Sequence, residues 1–176
     1  MKQELIDKIK RIKLIATDVD GVLTEGFVFI TESAEEPFGK FNILDGFAVI
    51  MAREVGLKTV VISGRKSDAT EARCRKLGMD QAFTGVQDKS VQIRQVADDF
   101  GISLDEIAYI GDDLIDLPAL KLVGFKCAPS NAVNDIKAFV DYISEYKGGN
   151  GAFRDIVELI LRTQCKYQQI LDKYLQ

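Results

Sequence analysis

The chain has 176 residues, 47% of them hydrophobic, with 27 acidic and 23 basic side chains and a formal net charge of −4. That size and apolar content suit one domain with a real core, and the interspersed charge argues against nucleic acid or an anionic membrane as the main partner. Histidine is absent, which excludes a Ser-His-Asp triad, a Cys-His pair and a histidine-ligated zinc site, leaving acid–base work to carboxylates, lysine or tyrosine.

The opening "MKQELIDKIKRIK" is charged throughout and lacks the apolar stretch of a secretion signal, and no apolar run approaches the ~18 residues of a spanning helix. A cytoplasmic protein with no membrane partner is expected. Short runs rich in Ile and Val then alternate with segments of helical period. They predict strands at Lys13 to Val19, Lys58 to Ile62, Gln81 to Thr84, Glu106 to Ile110 and Gly124 to Ala128. Helices are predicted at about Asp45 to Val55, Asp68 to Leu77, Lys89 to Phe100 and Leu117 to Leu122, with Gly56, Gly78 and Gly101 placed where helix ends need a left-handed residue. The alternation predicts an α/β fold: a doubly wound, Rossmann-like parallel sheet with helices on both faces, in a single domain over 1–176.

Two segments break the alternation. Residues 25–41 read as two short strands around a polar turn, a β-hairpin flap at the edge of the first strand. Residues 148–176 read as a glycine-rich loop, an amphipathic helix and a tail with apolar residues at helical spacing, which needs a surface to lie on. Cys74, Cys127 and Cys165 follow no metal or redox spacing.

In an open parallel sheet, ligands bind beyond the carboxyl ends of the strands where strand order reverses. The ends "TDVDG", "VISGR", "FTGVQDK" and "YIGDDLID" deliver Asp18, Asp20, Ser63, Lys89, Asp112, Asp113 and Asp116 to one edge. Crowded carboxylates raise one another's pKa and destabilise the fold unless a cation offsets them. Mg2+ takes oxygen ligands and keeps waters, so Asp18, Asp112 and the backbone carbonyl of Asp20 would suffice; Ca2+ is disfavoured because no twelve-residue loop ends in glutamate. Ser63 and the amides after it, beginning with Gly64, are read as phosphate receptors at a helix N-terminus, with Lys89 as a positive point charge. With no histidine, the candidate nucleophile is a carboxylate; Asp18 leaves the strand first, and Asp20 is placed to act as general acid and base.

"DVDGVLT", "SGR", "DK" and "GDDLID", in this order from Asp18 to Asp116, resemble the four signature motifs of the haloacid dehalogenase superfamily of phosphatases. The resemblance implies Asp18 as nucleophile, Asp20 as general acid and base, phosphate binding by Ser63 and Lys89, and Mg2+ held by Asp18, the Asp20 carbonyl and Asp112. Asp113 and Asp116 would be supporting groups. Ser63 and Lys89 lie only a helix and a strand apart, and little beyond the flap and one helix follows Asp20, so no cap domain is expected. "GGNGAFRDIVELIL" and other stretches over nearly the whole chain are similar to a capless subgroup acting on eight-carbon sugar-acid phosphates in lipopolysaccharide precursor synthesis. That similarity implies a homotetramer in which a neighbour's flap and C-terminal segment help cover the site, and a small-molecule substrate whose carboxylate wants cations. Arg65, Arg73 and Arg154 match the subgroup's positions, but Asn42 and Leu44 stand where it has histidine and arginine. The alternative substrate is a nine-carbon sugar-acid phosphate. A receiver-like phosphoacceptor domain fits less well, because its acidic pair is adjacent and its phosphoacceptor lies on a later strand. The intact acid set argues against a catalytically silent scaffold.

Overall fold

The computed structural model describes residues 2–32 and 38–175. Among them, the apolar runs form β1 (Leu14–Thr17), β2 (Lys58–Ile62), β3 (Gln81–Phe83), β4 (Ile107–Ile110), β5 (Phe125–Ala128) and β6 (Tyr142–Ile143). All neighbours pair in parallel, in the order β3-β2-β1-β4-β5-β6. The order reverses between β1 and β4, where Thr17 stands opposite Ile110. This is the crevice in which open sheets bind ligands.

Side chains on successive strand residues leave opposite faces of the sheet. Ile15, Ala108 and Ile110 pack in one core with α1 (Gln3–Lys10), α2 (Ile43–Glu54), α7 (Ala152–Thr163) and α8 (Tyr167–Leu175), through residues such as Ile9, Met51, Phe153 and Ile170. Leu14, Ala16, Ile107 and Tyr109 face a second core built from α4 (Lys89–Phe100), α5 (Leu117–Leu120) and α6 (Asn134–Phe139), through Ile93, Leu120 and Ile136. With α3 (Asp68–Leu77) against β3, helices cover both faces. Gly78 and Gly101 end α3 and α4 in the left-handed region, and Gly56 adopts it just past α2.

Four elements differ from expectation. Gln3–Lys10 reads as a charge run but is helical: Glu4 lies in its first turn, Lys8 and Lys10 in its last, and Ile9 is buried. Lys8 also pairs with Asp141 at 2.9 Å. β6 and α6 are too short to imprint a period on the sequence. The flap's arms are without regular strand among the described residues, although Phe29 and Phe38 stack at 5.0 Å; its tip, residues 33–37, lies outside them. The tail finds its surface within the chain: Tyr174 meets the Phe47 ring of α2 edge-on at 5.5 Å, and Lys173 pairs with Glu54.

Glycine-rich residues 148–151 are fixed from α2. Gly151 caps α7 without a side chain of its own, and buried Asp45 takes that role by accepting from the Gly151 N–H at 3.2 Å and the Arg154 N–H at 2.9 Å. Burial raises the Asp45 carboxyl above its usual range, against the pull of those two N–H groups. Asn42 caps α2 through the Leu44 N–H at 2.8 Å and donates to the Gly149 carbonyl at 3.0 Å.

Candidate active site

β1 hands over to the site without a break. The Asp18 N–H donates to the Ile110 carbonyl at 2.9 Å, extending the β1–β4 ladder by one bond and fixing where the Asp18 side chain leaves the sheet. The chain then wraps the Val19 carbonyl, which accepts from the N–H groups of Val22, Leu23 and Thr24. Gly21 makes this turn with φ +87°, and the position of its missing Cβ is held by the Asp112 carboxylate. Glycine is required there on both counts.

From β4, "GDDLID" supplies Asp112 and folds Leu114–Asp116 into a 3₁₀ turn that Asp113 caps through the Leu114 N–H at 2.7 Å. Asp116 is fully buried, and its two oxygens accept from four donors: Lys89 Nζ at 2.7 Å, Tyr109 Oη at 2.9 Å, and the N–H groups of Asp112 at 2.9 Å and Asp113 at 3.3 Å. It is a brace with little acceptor capacity to spare. Lys89, 3% exposed at the first residue of α4, also reaches Asp18 Oδ1 at 2.8 Å. Burial alone would lower the Lys89 ammonium, but Asp18 and Asp116 outweigh it and hold it above its ordinary value.

Oxygens of Asp18, Asp112 and Asp116 lie within 4.8 Å of one another. Three carboxylates against the one ammonium of Lys89 leave two negative charges uncompensated, the charge of a single divalent cation. Crowding and burial act on the carboxyls: burial first and Asp116 second push Asp18 up to about 6 despite Lys89, while burial, then Asp18 and Asp116, push Asp112 up to about 7. Asp116 being engaged fourfold, the donors left for a cation are Asp18 and Asp112, an all-oxygen set suited to Mg2+.

Asp20 faces Arg65, whose Nη2 and Nε donate to its two carboxylate oxygens at 2.6 and 3.1 Å. Ser63, at the end of β2, is buried; its hydroxyl donates to the Arg65 carbonyl at 3.2 Å and accepts from the Arg65 N–H at 3.3 Å. It is not at a helix N-terminus as expected, because α3 begins at Asp68 under a cap from Ser67. Gly64 follows in the same loop. A cleft lined by Asp20, Arg65, Ser67, Phe27 and Phe38 runs between this loop and the flap.

The structure therefore gathers Asp18, Asp112, Asp116 and Lys89, and sets Asp20 and Arg65 beside them. The other two arginines have different partners. Arg154 pairs with Glu158 and lies over the Phe47 ring, and Arg73 lies over Gly46 between α2 and α3. Sequence reasoning missed Tyr109, the one polar tip in an apolar strand, and Thr24, whose hydroxyl accepts from the N–H groups of Gly21 and Gly26 at 3.4 and 3.3 Å. It also missed Asn131, which follows β5 at the same sheet edge and touches Gly21 and Gly148; extending the strand-end rule to the fifth strand would have found it.

A doubly wound sheet that sets carboxylates and a buried lysine across its switch point is the arrangement of a phosphoryl-transfer site. Comparison with known proteins agrees. The profile of the haloacid dehalogenase-like hydrolases matches residues 83–156. The 3-deoxy-D-manno-octulosonate 8-phosphate phosphatase KdsC of Escherichia coli K12 is 32% identical over 166 residues, 94% of this chain and 88% of the relative. The structure of the Moraxella catarrhalis phosphatase of the same name, in complex with magnesium, phosphate and KDO, superposes with a TM-score of 0.94 at 34% identity, covering 99% of both chains. The cobalt-bound Haemophilus influenzae phosphatase gives 0.87 at 34% identity, over 90% of this chain and 92% of that one. This chain belongs to the 3-deoxy-D-manno-octulosonate 8-phosphate phosphatase family of the haloacid dehalogenase-like hydrolases.

Proposed function

We propose that this protein is a Mg2+-dependent phosphomonoesterase that converts 3-deoxy-D-manno-octulosonate 8-phosphate to the free sugar acid and phosphate, a step in lipopolysaccharide precursor synthesis. The observation that carries the reading is the charge deficit at Asp18, Asp112 and Asp116, which one divalent cation balances. The ion would be held by Asp18, Asp112 and the carbonyl of Asp20, and when bound it supplies positive charge to the phosphoryl oxygens. A carboxylate oxygen of Asp18 attacks phosphorus while the bond to the sugar oxygen breaks, and Asp20 gives that oxygen its proton. Asp20 then takes a proton from water, whose oxygen attacks the aspartyl-phosphate and frees Asp18. Lys89 lies 2.8 Å from Asp18, where its charge favours both the attacking carboxylate and the transferred group. Ser63 and Gly64 line the phosphate side, Asp113 and Asp116 brace the Asp112 loop, and Arg65 meets the anionic substrate beside Asp20. Arg73 and Arg154 serve the sugar acid only in the assembled protein.

The assembly is a cytoplasmic homotetramer of single-domain chains, each presenting its flap and the start of α2 to a neighbour. Support comes from the apolar side chains that one chain leaves in solvent there, Phe27, Ile30, Phe38, Ile43 and Leu44. No helix among the described residues is long and apolar enough to cross a membrane. Asn42, which stands where the subgroup has histidine, is engaged with backbone groups of Leu44 and Gly149 and so gives no support to a nine-carbon substrate. Phosphate release from a panel of sugar-acid phosphates with Mg2+ tests the proposal. Preferred turnover of the eight-carbon ester is expected, and preference for a nine-carbon ester, or none at all, would overturn it.

A further inference from the structure

The Asp20 carbonyl hangs on the conformation of Gly21, the least restrained residue type at the most exacting place. Its N–H is held by Thr24 Oγ1 at 3.4 Å, and its carbonyl accepts from Asn131 Nδ2 at 3.0 Å. Because a trans peptide sets the Asp20 C=O opposite the Gly21 N–H, fixing both peptide planes that flank Gly21 fixes where the Asp20 carbonyl points. Asn131 Oδ1 accepts in turn from the Gly148 N–H at 2.6 Å. Gly148 packs so closely on the Gly21 backbone that a Cβ would strike the Gly21 carbonyl, and the Gly149 N–H donates to Val22 at 2.9 Å. Two residues past Asn131, the Val133 N–H holds the Asp112 carbonyl at 2.9 Å. A single turn after β5 thus reaches both acid-bearing loops and the glycine-rich loop.

We propose that Asn131 is a positioning residue for the reaction: its carboxamide clasps Gly21 to Gly148 and so, together with Thr24, aims the Asp20 carbonyl at the site. The chemistry of the two partners dictates the residue. The Gly148 N–H and the Gly21 carbonyl are the groups turned toward it, since the Gly21 N–H is taken by Thr24 and the Gly148 carbonyl by Asn150, so the side chain must present an oxygen to one and an N–H to the other. Aspartate keeps the first bond and loses the second; alanine loses both. The inference rests on the functional reading above, with Asn131 acting through backbone and touching no carboxylate in its two bonds.

The test compares Asn131→Ala and Asn131→Asp with the native protein. Steady-state kinetics on 3-deoxy-D-manno-octulosonate 8-phosphate separate kcat from KM, calorimetry of metal-free protein gives the Mg2+ dissociation constant, and a thermal melt reports the fold. Outer-shell partners of metal ligands are typically worth about ten- to hundredfold in affinity or activity. Accordingly kcat falls about tenfold in both variants with KM within about twofold, and Mg2+ binds about tenfold more weakly to Asn131→Ala, with the melt little changed. Native kcat and Mg2+ affinity in both variants would overturn the proposal. So would native kcat in Asn131→Asp alone, since the Gly148 bond would then account for the effect. A native protein that binds Mg2+ but releases no phosphate would sink the functional reading instead, leaving calorimetry to judge Asn131.

Discussion

Arg65 grips both carboxylate oxygens of Asp20, from Nη2 at 2.6 Å and from Nε at 3.1 Å. Such a fork fixes the plane of the carboxylate. Arg65→Ala is expected to lower kcat/KM for the sugar-acid phosphate by at least about tenfold, and Arg65→Lys to recover only part of that, because an ammonium offers a point charge without the fork. Steady-state phosphate release is the measurement. A lysine variant as active as the native protein would show that charge alone suffices.

Asp18→Asn separates chemistry from stability. An amide cannot form the acyl-phosphate, so turnover should fall by about 10³ or more. The fold should not suffer: the substitution removes one negative charge from a buried cluster that carries two too many, and Lys89 keeps Asp116 at 2.7 Å. The metal-free variant is expected to melt no lower than the metal-free native protein. A marked loss of melting temperature would mean that Lys89 needs both partners.

Asp116→Asn should show the opposite balance. Its carboxylate accepts from two side chains and two backbone N–H groups at zero exposure, and an amide turns one of those oxygens into a donor. Breaking a buried ion pair from one side costs about 3 kcal/mol, or roughly 6–12 °C of melting temperature at this chain length. Activity should fall with it, since the Asp112 loop loses its anchor. A native melt would contradict the role of brace.

These two aspartates also show what the sequence can and cannot disclose. Periodicity and strand-end logic place β2, α3 and α4 at their observed bounds and bring Asp18, Asp112, Asp116 and Lys89 to one edge, because main-chain topology alone determines that meeting. How the carboxylates divide the work is hidden, since Asp116 as brace depends on Tyr109, seven residues back, and on backbone N–H groups whose directions no spacing reveals. Ser63 misleads for a related reason. A serine before glycine at a strand end looks like a helix cap, and the true cap, Ser67, lies four residues further on. Asp45 looks like an ordinary first-turn acid of α2, yet it caps α7 across a sequence separation of 106 residues, a relationship only tertiary packing creates.

Metal binding should be linked to protons in a predictable direction. In the metal-free protein Asp18 is pushed up to about 6 and Asp112 to about 7, against about 3.9 in an unfolded chain. The native state therefore binds more protons than the unfolded state between about pH 4 and 7, and its stability falls as pH rises through that window. Mg2+ displaces those protons, so its stabilising effect runs the other way and is largest above pH 7. The rise in melting temperature on adding Mg2+ should be larger at pH 8 than at pH 5.5, with Mg2+ affinity weakening about tenfold per pH unit on the acid side for each proton displaced. Equal shifts at the two pH values would rule out Asp18 and Asp112 as the ligands.

The flap bears on assembly. Phe27 is 71% and Ile43 81% exposed in the single chain, and both belong to the apolar strip formed by the flap and the first turn of α2. Side chains so exposed add little to the stability of a lone chain, where replacing them costs no more than about 0.5 kcal/mol. Their contribution appears when a neighbour covers them, at about 25 cal/mol for each Å² of apolar surface removed from water. The native protein should scatter light as a particle of four chains at micromolar concentration, and the double substitution Phe27→Ser, Ile43→Ser should shift it toward the monomer. Losing the neighbour's cover leaves the cleft at Asp20 and Arg65 open to water, so kcat/KM should fall by about tenfold with it. A native protein that is monomeric at full activity would refute the assembly and leave each site to work uncovered.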